Sequence, residues 1–562
     1  MKRNLKQQSI IRLALSVIII LLLNIISFFV FTRIDLTSEH RYTITPATKD
    51  MLRNLKDRVT VKIYLDGDMP ADFKRLHNSI HEMLDEFKVY TKDNLDYEFL
   101  DPNKITSEKE RIELYKQLAK KGLQPTNLKQ KEKESIKQQV LFPGAVVNYM
   151  DNEIPLQLLK SKLDASPEEM INNSIESLEY EFANAIRKVT AKSRQKICFL
   201  QGQKELNSQQ LKYMTQALKD VYDVSPVEIK QNIHALEGCR LLIIAKPDTA
   251  FETKDKFVID QFIMRGGRVL WLIDPMQISM DSLERTPTNV AVANNLNLED
   301  QLFRYGVRIN NDLVEDVKAA SIMIQTGYTG DRPNYELFPW YFFPTIEPSS
   351  AHPIVSNLNL IRCEFVSSID LVESPSITKT VLLATSKHSK ILMSPVRVSL
   401  NMIQEKPSDN EFNREHVPVA VLLEGVFTSA FPHRITYTPE QLKEADVKDS
   451  SVKTKMIVIS DGDMMASYVS KSTGTVFPLG FDRSTRITYG NKNFLLNCID
   501  YLCDDSNLLT IRAKELKIRM LDQAKLDADK LKWQIVNVVL PILLVLLYGA
   551  ARSILRKRKY EN

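Results

Sequence analysis

Asp461 and Asp463 follow directly on an apolar run, KMIVIS, in the stretch SDGDMMA. Two carboxylates at the end of a buried strand are suitable oxygen ligands for Mg2+ or Ca2+. Open α/β sheets also gather their ligands at the carboxyl ends of strands. Aspartates in such a turn serve equally to accept backbone N–H groups and shape it, and that plainer role is the expected one. DGD at 66–68 reads the same way. The second unusual stretch is ELFPWYFFPTIEPSSAHPI at 336–354, where Phe338, Trp340, Tyr341, Phe342 and Phe343 are punctuated by Pro339 and Pro344. Proline has no N–H to donate and is a poor member of a helix or a central strand, so a loop is expected. Rigid aromatics on a loop anchor a partner or ligand, or they fold back and plug the protein's own core; both readings stay open.

Other chemistries lack their parts. His77 and His81 lie four apart with Glu82 beside them. A zinc-hydrolase helix needs the glutamate directly after the first histidine, so a solvated helix face is expected instead. No G-x-x-x-x-G-K-[ST] occurs, and TGYTGDRP and STGTVFPLG carry glycines without the lysine. Without that lysine and its amide cradle the phosphates of ATP lack their main partners. There is no G-x-S-x-G elbow either. The five cysteines, Cys198, Cys239, Cys363, Cys498 and Cys503, include no C-x-x-C. Buried free thiols are expected, with one disulfide open to them in an oxidising compartment. The residues thus point to no catalytic group, no metal and no cofactor.

The elements that would position these residues begin with two apolar runs. Residues 13–31 (LALSVIIILLLNIISFFVF) and 535–551 are each long enough to cross the ~30 Å hydrocarbon layer at 1.5 Å per residue. Lys2, Arg3, Lys6 and Arg12 precede the first, and Arg552, Arg556, Lys557, Arg558 and Lys559 follow the second. Positive flanks stay in the cytoplasm, so both termini are expected there and everything between on the far side. TRIDLTSEH after the first run offers no small-x-small cleavage site, so an uncleaved anchor is expected. The remainder is ordinary for a folded, water-soluble body: 562 residues, 44% hydrophobic and 26% charged, with a net charge of +5. Much of that charge lies in the basic tail, which leaves no folded basic face for nucleic acid.

Between the runs, VTVKIYL, LDYEFL, QQVLFPGAVVNYM and EIPLQLL read as strands. The stretches around 71–91, 107–122 and 168–191 read as helices, with a further cap at Thr45-Pro46. The order β-α-β-α-β-β-α resembles the thioredoxin fold, without its C-x-x-C. From about 193 the pattern changes to fully apolar strands such as RLLIIA and VLWLI. They alternate with helices, among them an amphipathic one carrying Phe257, Ile259, Phe262 and Ile263. Such strands belong to a parallel sheet covered on both faces, a doubly wound α/β domain of flavodoxin- or amidotransferase-like architecture. Polar loops are expected at 276–295, 404–416 and 436–454. The expected division is 1–33 (cytoplasmic end and first span), 34–192 (thioredoxin-like), 193–510 (α/β), 511–532 (amphipathic linking helix) and 533–562 (second span and basic tail).

Taken in order, RYTITPATKDML, VKIYLDGDMP, FLQGQKE, LLIIAKP, DQFIMRGGRVLWLIDP, ELFPWYFFP, SDGDMM and NFLLNCIDYL resemble the auxiliary-subunit family of ABC transporters over nearly the whole chain. Within it they are most similar to the gliding-motility-associated members from Bacteroidetes. The resemblance implies a partner ABC permease, a cytoplasmic ABC ATPase and contact with membrane lipid. It also leaves room for further envelope or secretion-motility components, and it implies no catalytic residue. The expected function is that of a non-enzymatic inner-membrane subunit with a periplasmic body. The alternatives are a tethered solute-binding module serving the permease and a membrane-anchored hydrolase.

Overall fold

The computed structural model describes residues 11–22, 44–132, 135–160, 165–191, 193–348, 352–404, 410–431, 447–504 and 529–560. They fall into two units, Met1–Glu515 and Leu516–Asn562. At the start of the first, α1 (Ile11–Leu22) is an apolar helix with every residue exposed. The rest of the first expected span, 23–31, lies outside the described residues.

The chain next builds a four-stranded sheet. VTVKI alternates β-branched and polar residues, so β1 (Val59–Ile63) buries Val59, Val61 and Ile63 on one face. After α2 (Ala71–Tyr90) it is joined in parallel by β2 (Leu95–Phe99). After α3 (Glu108–Lys120) come β3 (Gly144–Tyr149), antiparallel to β1, and β4 (Asn152–Gln157), antiparallel to β3. The spatial order is β2-β1-β3-β4. The strand expected as one piece over 138–150 is in fact two, because Pro143 has no N–H with which to continue a ladder. Its first part, Ser135–Leu141, turns back to pair with Thr126–Glu132, and only its second part joins the sheet. The long α4 (Pro167–Val189) closes the layer. Pro167 opens it and the Ser166 side chain accepts from Glu169 N at 3.2 Å, while Arg187 and Lys188 face the negative end of its dipole.

A seven-stranded sheet follows. Its five parallel strands are β5 (Lys196–Gln201), β6 (Asp223–Glu228), β7 (Leu241–Ala245), β8 (Arg268–Leu272) and a late one, Thr454–Ile459. Beyond the late strand, Pro418–Gly425 runs antiparallel to it and Ile377–Ala384 antiparallel to Pro418–Gly425, so the sheet is mixed. Both faces are covered. Ile197, Phe199, Leu241, Ile243, Leu270, Leu272, Ile457 and Ile459 pack under α5 (Lys212–Lys219) and a C-terminal helix, Asn491–Cys503, in a core continuous with that of the first sheet. Leu200, Leu242, Ile244, Val269, Trp271 and Val458 point the other way, under α6 (Thr253–Met264) and α7 (Glu299–Tyr305). Each fully buried aliphatic side chain contributes about 1.5–3 kcal/mol.

Two expectations need correction here. Helix α6 is not amphipathic in place, because every residue from Asp255 to Met264 is buried. Its polar side is covered by chain elsewhere in sequence: Lys256 Nζ meets Asp300 at 2.5 Å, Tyr305 OH donates to Asp260 at 2.8 Å, and Lys448 N donates to Gln261 at 2.8 Å. The expected loop 276–295 holds a helix, Met280–Arg285, and a strand, Thr288–Ala293, anchored on Val396–Ser399. Of the other two loops, 405–409 and 432–446 lie outside the described residues, as does most of the expected linking helix 511–532.

In the second unit, Lys530–Gln534 is α-helical, Ile535–Val539 forms a π turn, and Leu540–Tyr560 continues as α-helix. The π turn comes directly before Pro541, whose ring and missing N–H disturb a regular ladder, so the widened turn absorbs the disturbance. Lys532–Arg556 is 25 residues long and contains an 18-residue stretch of mean hydropathy 2.2, none of it buried. At about 1.5 Å per residue it is long enough to cross a membrane.

Candidate functional site

The carboxyl ends of β7, β8 and the late parallel strand, named β11 below (Thr454–Ile459), lie side by side. Each releases a charged residue as its apolar run stops: Lys246, Asp274 and the Asp461–Asp463 pair. Lys246 takes a positive φ of 55°, with its N–H on Leu272 O at 2.9 Å. Its ammonium lies 3.1 Å from Asp274 Oδ2 and 2.5 Å from Asp463 Oδ2. Gly462 N donates to Asp274 Oδ1. A Cβ at Gly462 would stand 2.8 Å from Lys246 Cβ and 2.9 Å from Asp274 Oδ1, so the turn needs glycine.

Asp461 is fully buried and does what a turn-shaping aspartate does. One carboxylate oxygen accepts from Met464 N at 3.0 Å, the other from Glu364 N at 2.9 Å. Glu364 in turn meets Arg362 Nη1 at 2.8 Å. Burial, then the neighbouring Asp274 and Asp463, pushes the Asp461 carboxyl well above the usual range. Burial also raises Asp274, against the pull of Lys246. For Lys246 burial works against the charge, but Asp274 and Asp463 outweigh it and hold the ammonium above its ordinary value. The result is a knot of internal pairs. Among the described residues no group of three His, Cys, Asp or Glu side chains is placed to hold a metal. The adjoining cavity, lined by Arg362, Glu364, Asp463, Tyr468 and Phe481, measures about 50 Å3, room for a few waters at roughly 10–15 Å3 each.

The aromatic stretch is not a loop. It belongs to β10 (Arg332–Ile346), a fifteen-residue strand paired antiparallel with β9 (Ala319–Thr329). The prolines remain visible in the pairing: Pro339 faces Ser321 and Pro344 faces Ala319, so residues 340–343 bulge out of register between them. The bulge drives Trp340, Phe342 and Phe343 into a small core with Leu313, Ile322, Phe365 and Val398. Trp340 and Phe342 rings lie 5.2 Å apart, and Phe343 meets Phe365 at 5.2 Å. Phe338 and Tyr341 are half-buried, the latter against Phe412 at 5.7 Å. Of the two readings left open, anchor or core, Trp340, Phe342 and Phe343 fall to the core. The exposed aromatics of the hairpin, Tyr328 and Tyr335, sit near its tip, where no expectation had been placed.

Segment 361–365 joins the two sites. Ile361–Arg362 pairs with Thr345–Ile346, Phe365 N donates to Phe342 O at 2.9 Å, and the Arg362 guanidinium lies 4.6 Å over the Phe343 ring. Sequence reasoning found Asp461, Asp463 and Phe343 but missed Lys246, Asp274, Arg362 and Glu364. For Lys246 and Asp274 the signal was present, as the first charged residue after LLIIA and VLWLI. His77 and His81 pair with Asp66 at 3.8 Å and Asp85 at 3.1 Å on a helix face, with the His77 ring also 4.2 Å from that of Phe99 at a tilt.

Residues 194–498, more than half of the chain and all of the seven-stranded sheet, match the family described as an ABC-type uncharacterized transport system. The chain belongs to this ABC transporter auxiliary family. Residues 38–148, which hold most of the first sheet, match a domain of unknown function, DUF7088. An uncharacterized protein of Borreliella burgdorferi is 22% identical over 574 residues, covering 99% of either chain. Among solved structures, the mmIFT52 N-terminal domain gives a TM-score of 0.31 at 14% identity, over 55% of this chain and 96% of its own; so low a score bears on neither fold nor function. Membership of a transport-auxiliary family, together with a helix able to cross a membrane, makes this a transporter-associated chain.

Proposed function

We propose that the chain is a non-enzymatic auxiliary subunit of an ABC-type transporter of the gliding-motility-associated GldG type. It links a cytoplasmic ATPase and a permease to a folded body beyond the inner membrane. The observation that carries this reading is the apolar, wholly exposed helix Lys532–Arg556, with a basic tail behind it, on a chain of this family. With 13–31 as the other anchor, positive flanks keep both termini cytoplasmic. A bonded Cys198–Cys239 pair is consistent with an oxidising compartment for the body. The order β2-β1-β3-β4 supports a thioredoxin-like domain over 34–192, and helices on both faces of the larger sheet support a doubly wound domain over 193–510.

Two anchors constrain the orientation of the body, whereas one would let it swivel. Displacement of the permease can then pass to the body mechanically. The filled aromatic core and the internally paired carboxylates weigh against a solute receptor and against a hydrolase. Of the five aromatics singled out, Phe338 and Tyr341 keep some exposure for a partner contact. The test is purification in mild detergent, identification of the ATPase and permease that accompany the chain, and ATPase rates with and without it. Copurification with a rate that depends on this chain is expected. A rate indifferent to its presence contradicts the coupling.

A further inference from the structure

Cys198 lies in the middle of β5 with no exposure, on the face covered by α6. Cys239 lies in the turn before β7 and is half-buried. Their Cα atoms are 6.1 Å apart and their sulfurs are bonded, a separation within the usual span of about 4.4–6.8 Å. The two sulfurs differ in access. A cavity of about 250 Å3 is lined by Cys239 together with Gly238, Arg240, Arg265, Gly266 and Gly267, and Cys198 is not among its walls. Gly238, directly before Cys239, has φ +76° and open space where a Cβ would stand. Arg240 and Arg265 line the same cavity with Glu237, two basic residues against one acidic, and cations near a sulfur favour thiolate over thiol. Cys198 belongs to the apolar cluster that includes Leu200, Leu242 and Ile244.

We propose that Cys239 is the sulfur through which a thiol–disulfide oxidoreductase acts on this protein, with Cys198 as the resolving sulfur. In the oxidising direction the Cys239 thiolate attacks the oxidant protein's disulfide. A mixed disulfide forms, and the oxidant's other sulfur leaves as a thiolate and takes up a proton. The Cys198 thiol loses its proton and attacks the Cys239 sulfur, closing the bridge and expelling the oxidant's second thiolate. Two thiols of this chain are oxidised and one disulfide of the oxidant is reduced, a transfer of two electrons and two protons. Reduction follows the same path in reverse, beginning at Cys239. The extracytoplasmic placement proposed above sets only which direction prevails; the difference between the sulfurs belongs to the fold and is measurable in purified protein.

The test uses the full chain in detergent, with oxidised glutathione as the small disulfide. In folded Cys198→Ser protein, glutathione should join Cys239 at least tenfold faster than it joins Cys198 in folded Cys239→Ser protein, read by peptide mass spectrometry. Cys363, Cys498 and Cys503 are buried and free, so their labelling reports any loss of fold. Wild-type protein supplies a measurement free of mutation: after brief reduction, iodoacetamide should alkylate Cys239 before Cys198. Equal rates, the opposite order, or five free thiols in denatured, unreduced protein isolated from its own membrane would each overturn the proposal.

Discussion

Asp500, in the helix Asn491–Cys503, ties that helix to α4 across 312 residues of sequence. Its carboxylate accepts from Lys188 Nζ at 2.7 Å, from Tyr222 OH at 2.8 Å and more weakly from Asn184 Nδ2 at 3.5 Å. The side chains of Lys188 and Asp500 are 16% and 7% exposed, so this is a buried pair whose lysine keeps a little water. Breaking such a pair from one side costs about 3–5 kcal/mol. The residual hydration of Lys188 argues for the lower end, so Asp500→Asn should destabilise by about 3 kcal/mol. A double-mutant cycle with Lys188→Met, read by denaturant unfolding of the detergent-solubilised chain, should give a coupling of about 2 kcal/mol. Burial alone would raise the Asp500 pKa, but Lys188, Arg187 and Tyr222 outweigh it and leave it lower than the ordinary 3.8. An acid with a lowered folded pKa contributes its full stability above the unfolded value and loses it as pH falls through the folded one. The wild-type advantage should therefore be constant above pH 3.8 and shrink below it. A coupling under about 0.5 kcal/mol, typical of solvated pairs, or an advantage that persists in acid, would refute the reasoning.

Gly462→Ala should cost about 1–3 kcal/mol through overpacking against Lys246 and Asp274, seen as a lower unfolding midpoint. Trp340→Ala should cost about 3–5 kcal/mol because the ring is 2% exposed, whereas Tyr335→Ala, at 55% exposure, should stay within about 0.5 kcal/mol. Thermal melts with and without reductant should differ by the equivalent of about 4 kcal/mol, the loop-entropy value for two cysteines 41 residues apart.

What the sequence disclosed follows the range of the forces involved. VLWLI, LLIIA and KMIVI declared themselves as buried strands because burial on both faces removes polar alternation, and the helix expected over 168–191 is α4. The stretch 336–344 misled because a proline's missing N–H excludes a regular ladder. The strand survives because both prolines sit at the edges of a bulge. The buried polar side of α6 was hidden, since Asp300, Tyr305 and Lys448 are brought to it only by tertiary packing. Asp461 and Asp463 could be picked out as a motif. Their pairing with Lys246, and the tie from Asp461 to segment 361–365, depend on neighbouring strands that spacing does not reveal. Cys198 and Cys239 met for the same reason: β5 and β7 are adjacent in the sheet.

The most direct test of the account is where the folded body lies. An epitope inserted at the hairpin tip beside Gly330 and epitopes at either end of the chain can be followed while protease is added to intact spheroplasts and then to lysed ones. The account predicts that the Gly330 epitope is lost from intact spheroplasts while both terminal epitopes survive until lysis. Survival of the Gly330 epitope with loss of either terminal one would contradict it.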